Sequence, residues 1–349
     1  MKVNSIKLTN FRNHSKAEFG FDENISIIVG KNGSGKTNIL EAIFLLTGNR
    51  SPWVKFDRDL ISFGKQFCTV TSKIENEGDI NDVEIQVLTS NINLNASSKK
   101  IKVNKVPKRS GVLKEYFSAI LFTPRDIETI TGTPSLRRKY IDSILQQSDT
   151  RYKKDLDTYT KAVKRRNKIL EQISETGVGH NQLTFWTDKI VETGTYIQKV
   201  RQEYVAYLNK KIGTKVETHG NSLSIGYIKN EISTERLEKH KETEIFARTT
   251  LVGPHRDDYE IKIADRNISE FGSRGQQREA ILAAKMCEID FLEEKVHHKP
   301  TLLLDDVFSE FDDDHKAGIV KLTKEYQTII TCTEIPSFIN TANIRVINL

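Results

Sequence analysis

The sequence predicts an α/β protein: a head built on a mixed sheet with helices and a β-rich N-terminal edge, into which a mainly helical lobe is inserted. Three observations carry that expectation. The β-branched run ISIIV at 25–29 is followed at once by GKNGSGKT at 30–37 and then by NILEAIFLL at 38–46, whose apolar residues recur at helical spacing. A second short apolar run, LLLD at 302–305, lies near the other end of the chain. Between them, from about Pro124 to Ile212, apolar residues sit among charges at roughly helical spacing.

Each element follows in order. Ile6, Leu8, Phe11, Phe19 and Phe21 alternate as in a β-meander that leads into the buried strand 25–29. Glycines 30, 33 and 35 end that strand, and a helix resumes from Asn38. Alternation returns over 67–106, with Val83, Ile85 and Val87 and then Ile92 and Leu94, and asparagine-rich turns between. Helices are expected over 137–147, 152–173 and 185–212, the last two joined by a turn at 177–182. Strands at 223–228 and 259–263, a helix at 276–296, the strand 302–305, a helix near 313–326 and short strands at 328–331 and 344–347 complete the chain. The expected division is a discontinuous head, 1–120 and 247–349, around a lobe at 121–246.

Composition agrees with this size. A chain of 349 residues exceeds what one core normally absorbs. With 37% hydrophobic and 29% charged residues it is far from the signature of disorder. No apolar run has signal-peptide or membrane-spanning length, so a cytoplasmic protein with no membrane partner is expected. Cys68, Cys287 and Cys332 stand far apart in hydrophobic contexts, which fits buried thiols rather than a metal cluster. The net charge of +6 is uneven: residues 95–170 hold 19 Lys/Arg against 7 Asp/Glu. That surplus suggests a polyanionic partner, with a merely solvated basic face as the competing reading.

The glycine segment matches GxxxxGK[ST], between a buried strand and a helix. Its turns aim backbone N–H groups at a phosphate, and the helix N-terminus adds partial positive charge. Gly30, Lys31, Asn32, Gly33, Ser34, Gly35, Lys36 and Thr37 are therefore the expected ATP cradle. Lys36 supplies charge against the β- and γ-phosphates, and the Thr37 hydroxyl is suited to Mg²⁺. The acid-ended strand at 302–305 would deliver Asp305 beside the metal, with Asp306 as the general base toward the attacking water.

A third block, FGSRGQQ at 271–277, opens a helix. It resembles the signature motif of the ABC-type ATPases, with Ser273 and Gly275 at the matching positions. The resemblance implies an ABC-type P-loop ATPase head and one ATP held between the P-loop of one copy and the signature serine of another. FSEFD at 308–312 is similar to the D-loop of that superfamily, which would pass Ser309 and Asp312 across the seam. Further blocks, LTNFRN at 8–13, FTPRD at 122–126, TPSLRR at 133–138, GPHRDD at 253–258, SRGQQR at 273–278 and LLDDVFS at 303–309, resemble the RecF family of bacterial recombination proteins over nearly the whole chain. What this implies is an ATP-dependent homodimer that binds double-stranded and gapped DNA. With RecR and RecO it would help place RecA on single-stranded DNA during repair, replication restart and the SOS response to DNA damage.

Asp306 stands where the superfamily usually has glutamate, which implies slow hydrolysis. The usual lobe-junction glutamine is replaced near Thr123-Pro124, and the switch histidine by a threonine around 331–333. Arg12 is a candidate nucleotide contact, with an exposed hairpin arginine as the alternative. Arg137, Arg138, Lys139, Lys161, Lys164, Arg165 and Arg166 are candidates for DNA phosphates. The 253–258 block is expected to be a tight structural turn re-entering the head, and His255 has no metal partner at a regular offset. Rival readings are the ATPase subunit of a membrane transporter and an ATPase-linked nuclease, the former disfavoured by the basic region and the latter by the lack of a further acidic metal-binding stretch.

Overall fold

The computed structural model describes residues 1–76, 78–89, 97–215, 222–309, 316, 319–320, 322–336, 339 and 344–349. Strand β1 (Lys2–Phe11) buries Val3, Ile6, Leu8 and Phe11. The break in its alternation coincides with a bulge between Val3 and Ser5, which resets the face that points inward. Strands β2 (His14–Gly20) and β3 (Ile25–Val29) follow, and then helix α1 (Lys36–Leu45). Apolar on nearly every side, α1 is buried from Ile39 through Leu45. Strands β4 (Phe67–Asn76), β5 (Asp79–Thr89), β6 (Ser97–Val103) and β7 (Val106–Lys108) continue an antiparallel meander. Asn104 and Lys105, at φ 50 and 66, form the two-residue turn that closes β6 on β7. Strand β8 (Ala119–Phe122) is buried throughout.

The helical region holds α2 (Glu128–Thr131), α3 (Pro134–Ser148), α4 (Thr150–Thr176) and α5 (His180–Lys211). Pro134 opens α3, where its missing N–H costs nothing, and the Asp149 side chain caps α4 by accepting from Tyr152 N–H. Gly177, at φ 70, ends α4, and α5 begins at His180, so the connection is shorter than the expected 177–182 turn. The two long helices pack closely because Gly194 on α5 has no side chain: a Cβ there would meet Tyr159 Cε2 at 3.1 Å. Next come β9 (Leu223–Ile228), α6 (Thr234–Lys239), α7 (Lys241–Ala247), β10 (Asp258–Ile263), β11 (Arg266–Asn267), α8 (Ile268–Phe271) and α9 (Arg274–Val296). The chain closes with β12 (Thr301–Asp305), β13 (Thr328–Cys332) and β14 (Arg345–Asn348). The helix expected near 313–326 falls largely outside the described residues.

The strands form three sheets: an antiparallel one in the order β2-β1-β4-β5-β6-β7, a parallel one in the order β14-β3-β13-β12-β8, and the small β11-β10-β9. Side chains of α1 share one core with the inner face of the antiparallel sheet and with Leu303 and Ile329 of the parallel sheet. The parallel sheet sets β3 beside β13 and β13 beside β12, so the residues ending these strands gather at one edge.

The chain divides into two compact units, residues 1–126 with 288–349, and residues 127–287. The second division lies at 287/288 rather than at the expected 246/247. The reason is packing: β10 pairs with β9, and α8 packs on β10 and α2, so these elements join the helical unit. Among the described residues, no helix is long and apolar enough to cross a membrane.

Candidate nucleotide-binding site

The glycine loop is shaped by positions only glycine fills easily. Gly33 and Gly35 sit at φ 83 and 104. At Gly35, the N-cap of α1, a Cβ would fall 2.6 Å from the Asn13 side-chain amide and 2.7 Å from His14 Nε2. Among the described residues no side chain caps this helix end, and uncapped first-turn N–H groups can serve an anion. Among the described residues, buried Ser34 Oγ has no hydrogen-bond partner. An orphaned hydroxyl and an uncapped helix start are features that a bound phosphate would satisfy.

Lys36, buried to 7% exposure, donates from Nζ to the carbonyl oxygens of Gly30 at 2.6 Å and Lys31 at 3.1 Å. Thr37 Oγ1 donates to Asp305, 2.8 Å from Oδ1 and 3.1 Å from Oδ2. Thr331, at the end of β13, also donates to Asp305 Oδ1 at 2.8 Å. Burial raises the Asp305 carboxyl above its ordinary range, while the bonds from Thr331 and Thr37 and the charge of Lys36 pull it back. A hydroxyl and a carboxylate side by side are hard oxygen donors of the kind Mg²⁺ takes. Asp306 holds a left-handed φ of 51, and its N–H donates to the Thr331 carbonyl oxygen and to Thr331 Oγ1, each at 3.1 Å. At the position of the expected lobe-junction glutamine, Thr123 donates from its N–H and its hydroxyl to the Asp126 carboxylate at 2.9 and 3.2 Å.

The β1–β2 hairpin braces the loop from outside. Asn13 Nδ2 donates to the Ser34 carbonyl oxygen at 3.2 Å, Asn38 Nδ2 donates to Asn13 Oδ1 at 2.7 Å, and His14 Nε2 donates to the Gly35 carbonyl oxygen at 3.2 Å. Arg12, at φ 54, turns its guanidinium to Glu41 on α1, with Nε 3.0 Å from Oε2 at an angle that makes an ion pair but no hydrogen bond. Glu41 is fully buried; burial raises its carboxyl, opposed by a hydrogen bond from Ser51 and by Arg12. Arg12 therefore ties the hairpin to α1. Asn13, His14 and Asn38 were not singled out from the sequence, although the 8–13 block that ends on Asn13 was.

In the other unit, Ser273 caps α9 reciprocally: Gln276 N–H donates to Ser273 Oγ at 3.2 Å, and Ser273 N–H donates to Gln276 Oε1 at 2.9 Å. Ser273, Arg274 and Gly275 are exposed. The D-loop expectation, Ser309 and Asp312, falls on side chains and residues outside those described.

The basic candidates separate into two groups. Lys139, Lys161, Lys164 and Arg165 are exposed, and among the described residues no ion pair engages them. The others are occupied. Arg137 Nε lies 2.7 Å from Asp258 Oδ1, and Arg138 donates to the Asp257 carbonyl oxygen. Arg166, expected among DNA contacts, is a correction: it is 1% exposed, with Nη2 2.7 Å from Glu244 Oε2 and bonds to Thr187 and Thr250. Its position on α4, seven after Tyr159 and three before Ile169, puts it on the buried face, and that spacing was the signal available in the sequence.

The 253–258 block, expected to re-enter the head, lies instead in the helical unit and organises it, because Asp257 is bonded to α5 and β9. Fully buried Asp257 accepts from Arg201 and Tyr227, from Gln198, and from Asn230 N–H. Arg201 also holds Asp142. His255 Nε2 donates to the Thr250 carbonyl oxygen at 2.9 Å, so its Nδ1 accepts from the Tyr159 hydroxyl at 2.6 Å. Burial lowers this imidazole to about 4. No cluster of metal-ligating residues occurs among the described residues.

With this geometry in place, comparison with known proteins is decisive. The RecF/RecN/SMC N-terminal domain model matches residues 2–347. The DNA replication and repair protein RecF of Ruminiclostridium cellulolyticum is 34% identical over 97% of this chain and 95% of its own. The chain belongs to the RecF family. The RecF of an Exiguobacterium species is 32% identical, covering 96% of this chain and 93% of its own. Among solved structures, that of the recombination mediator protein RecF-ATPrS in the RecFOR pathway has a TM-score of 0.87 at 33% identity, covering 96% of this chain and 93% of that one. The RecF-ATP structure of the same pathway has a TM-score of 0.86 at 34% identity, covering 97% and 93%. An SMC head bound to the winged-helix domain of ScpA, at 16% identity and TM-score 0.50, shares the fold. The fold is thus the ABC-type ATPase head common to RecF and SMC proteins.

Proposed function

We propose that this RecF-family chain is an ATP-switched DNA-binding protein of replication and recombinational repair, acting in the cytoplasm on the nucleoid. The observation that carries the reading is the joining of Thr37 to Asp305 at 2.8 Å beside buried Lys36, in a loop whose helix start is uncapped. The RecF relatives, two of them solved with ATP or its analogue, support ATP as the nucleotide.

Residues 30–37 would cradle the phosphates, and Thr37 and Asp305 would hold Mg²⁺, which neutralises phosphate charge when bound. Asp306 would orient or deprotonate the attacking water. Its one-methylene shorter arm relative to glutamate makes hydrolysis slow, so a weak DNA-dependent ATPase resets a binding switch. Exposed Ser273 and the start of α9 would complete the site of a second copy, and ATP then closes a homodimer.

Lys161, Lys164 and Arg165, all exposed on α4, and Lys139 on α3 would contact duplex phosphates without reading sequence. The engagement is with double-stranded DNA at gap junctions, and with RecR and RecO the dimer helps load RecA on single-stranded DNA. Sedimentation of wild type, Lys36→Ala and Ser273→Ala, with and without ATP, Mg²⁺ and duplex DNA, tests the scheme. Only wild type should dimerise on ATP and hold DNA; equal dimerisation of all three in every condition would overturn it.

A further inference from the structure

The proposed chemistry leaves Thr331 without a role, yet this hydroxyl touches both acids. It is fully buried at the end of β13, the strand between β3, which enters the glycine loop, and β12, which carries Asp305. Its one proton goes to Asp305 Oδ1 at 2.8 Å, and its lone pair receives the N–H of Asp306 at 3.1 Å. A non-glycine residue at φ 51 sits in a sparsely populated backbone region, and neighbouring groups must hold it there. The Thr331 carbonyl oxygen and hydroxyl supply that hold on the Asp306 N–H.

We infer that Thr331 is a positioning residue that orients the Asp305 carboxylate and the Asp306 backbone together. The inference rests on the ATP-and-magnesium reading above and assigns Thr331 a part in it. Without the hydroxyl, Asp305 relies on the bond from Thr37, which the metal would compete for. The Asp306 N–H falls back on its bond to the Thr331 carbonyl oxygen. Groups of this kind, one bond behind a metal ligand, typically change metal affinity or activity by about 10–100-fold when removed.

The test uses the full chain as wild type, Thr331→Val, Thr331→Ser and Thr328→Val. Thr328 is a second buried threonine of β13, bonded to the Tyr326 carbonyl oxygen and remote from the acids in register, so its variant reports the general cost of losing a strand hydroxyl. Binding of a fluorescent ATP analogue is titrated with Mg²⁺, and hydrolysis is resolved into kcat and KM. Thr331→Val should bind nucleotide normally without metal, need about 10–100-fold more Mg²⁺, and lose kcat at unchanged KM. Thr331→Ser should restore both quantities, and Thr328→Val should move neither.

Thr331→Val with wild-type Mg²⁺ dependence and kcat would overturn the inference alone. Equal effects of both valine variants, metal-free binding included, would also overturn it by showing a merely structural role. Wild type that binds no nucleotide with Mg²⁺ would remove the underlying ATP reading and this inference with it.

Discussion

Thr37 Oγ1 lies 2.8 Å from Asp305 Oδ1 although the two residues are 268 positions apart in the chain. The first turn of α1 and the last residue of β12 meet because β13 lies between β3 and β12 in one parallel sheet. Asp305→Asn keeps the shape and removes the charge. Mg²⁺ should then no longer tighten nucleotide binding, and hydrolysis should fall by about 100-fold or more, since the lost ligand acts on transition-state charge. Chelating Mg²⁺ from wild type should reproduce both losses, and isothermal titration with and without chelator checks this.

Gly35 offers a separate test of the loop. Alanine there meets a φ of 104 and the side chains of Asn13 and His14 at less than 3 Å. Gly35→Ala should lower stability by about 1–2 kcal/mol or more and abolish nucleotide binding. Asn13→Ala should weaken binding without the backbone penalty. Thermal melting beside nucleotide titration separates the two effects.

On α4, neighbouring arginines have opposite fates. Arg166→Ala leaves Glu244 buried and unpaired and should cost about 3–5 kcal/mol of stability. Lys161, Lys164 and Arg165 changed together to glutamine should leave the denaturation midpoint unchanged. That triple variant should instead weaken DNA binding and reduce the dependence of log K on log salt by about 0.9 for each DNA phosphate that is no longer neutralised. Unaltered salt dependence would remove these side chains from the DNA surface.

His255 predicts a pH dependence. Its pKa falls from 6.5 to about 4 on folding, burial being the main cause. Between those values the unfolded chain binds more protons, so this residue's contribution to stability is complete above about 6.5 and is lost as pH falls through about 4. His255→Gln should flatten that part of the stability profile. Urea midpoints of wild type and variant across about pH 4–7 decide it.

The local motifs were legible in advance because each depends on neighbours in sequence. GKNGSGKT after ISIIV is a strand, a turn requiring positive φ and a helix start. The LLLD run became β12, an interior strand of the parallel sheet, buried throughout. The long helices α4 and α5 appeared close to their expected spans, since apolar spacing marks a helix whatever it packs against. Strand β8 was missed because four buried residues carry too little periodicity. Helices α6 and α7 were missed because each is short and mostly polar.

Charge was the least legible property. Arg166 and Lys164 look alike in sequence, and only their angular positions on α4 separate a buried ion pair from a solvated cation. Asp257 likewise reads as one more acid in a polar turn, yet it accepts bonds from α5 and β9, on which the helical unit is built.

By itself the sequence determined that a phosphate-binding loop exists, that Asp305 ends an apolar strand, and that a helical lobe interrupts the head. Only the tertiary structure decided which groups meet. Thr331 reaches both acids because parallel pairing sets β13 beside β12 in one register. Asn13 reaches the glycine loop because the β1–β2 hairpin closes onto it where Gly35 has no side chain. Hydrogen bonds and ion pairs act over a few ångströms, and the distances that select them are fixed by packing between segments remote in the chain.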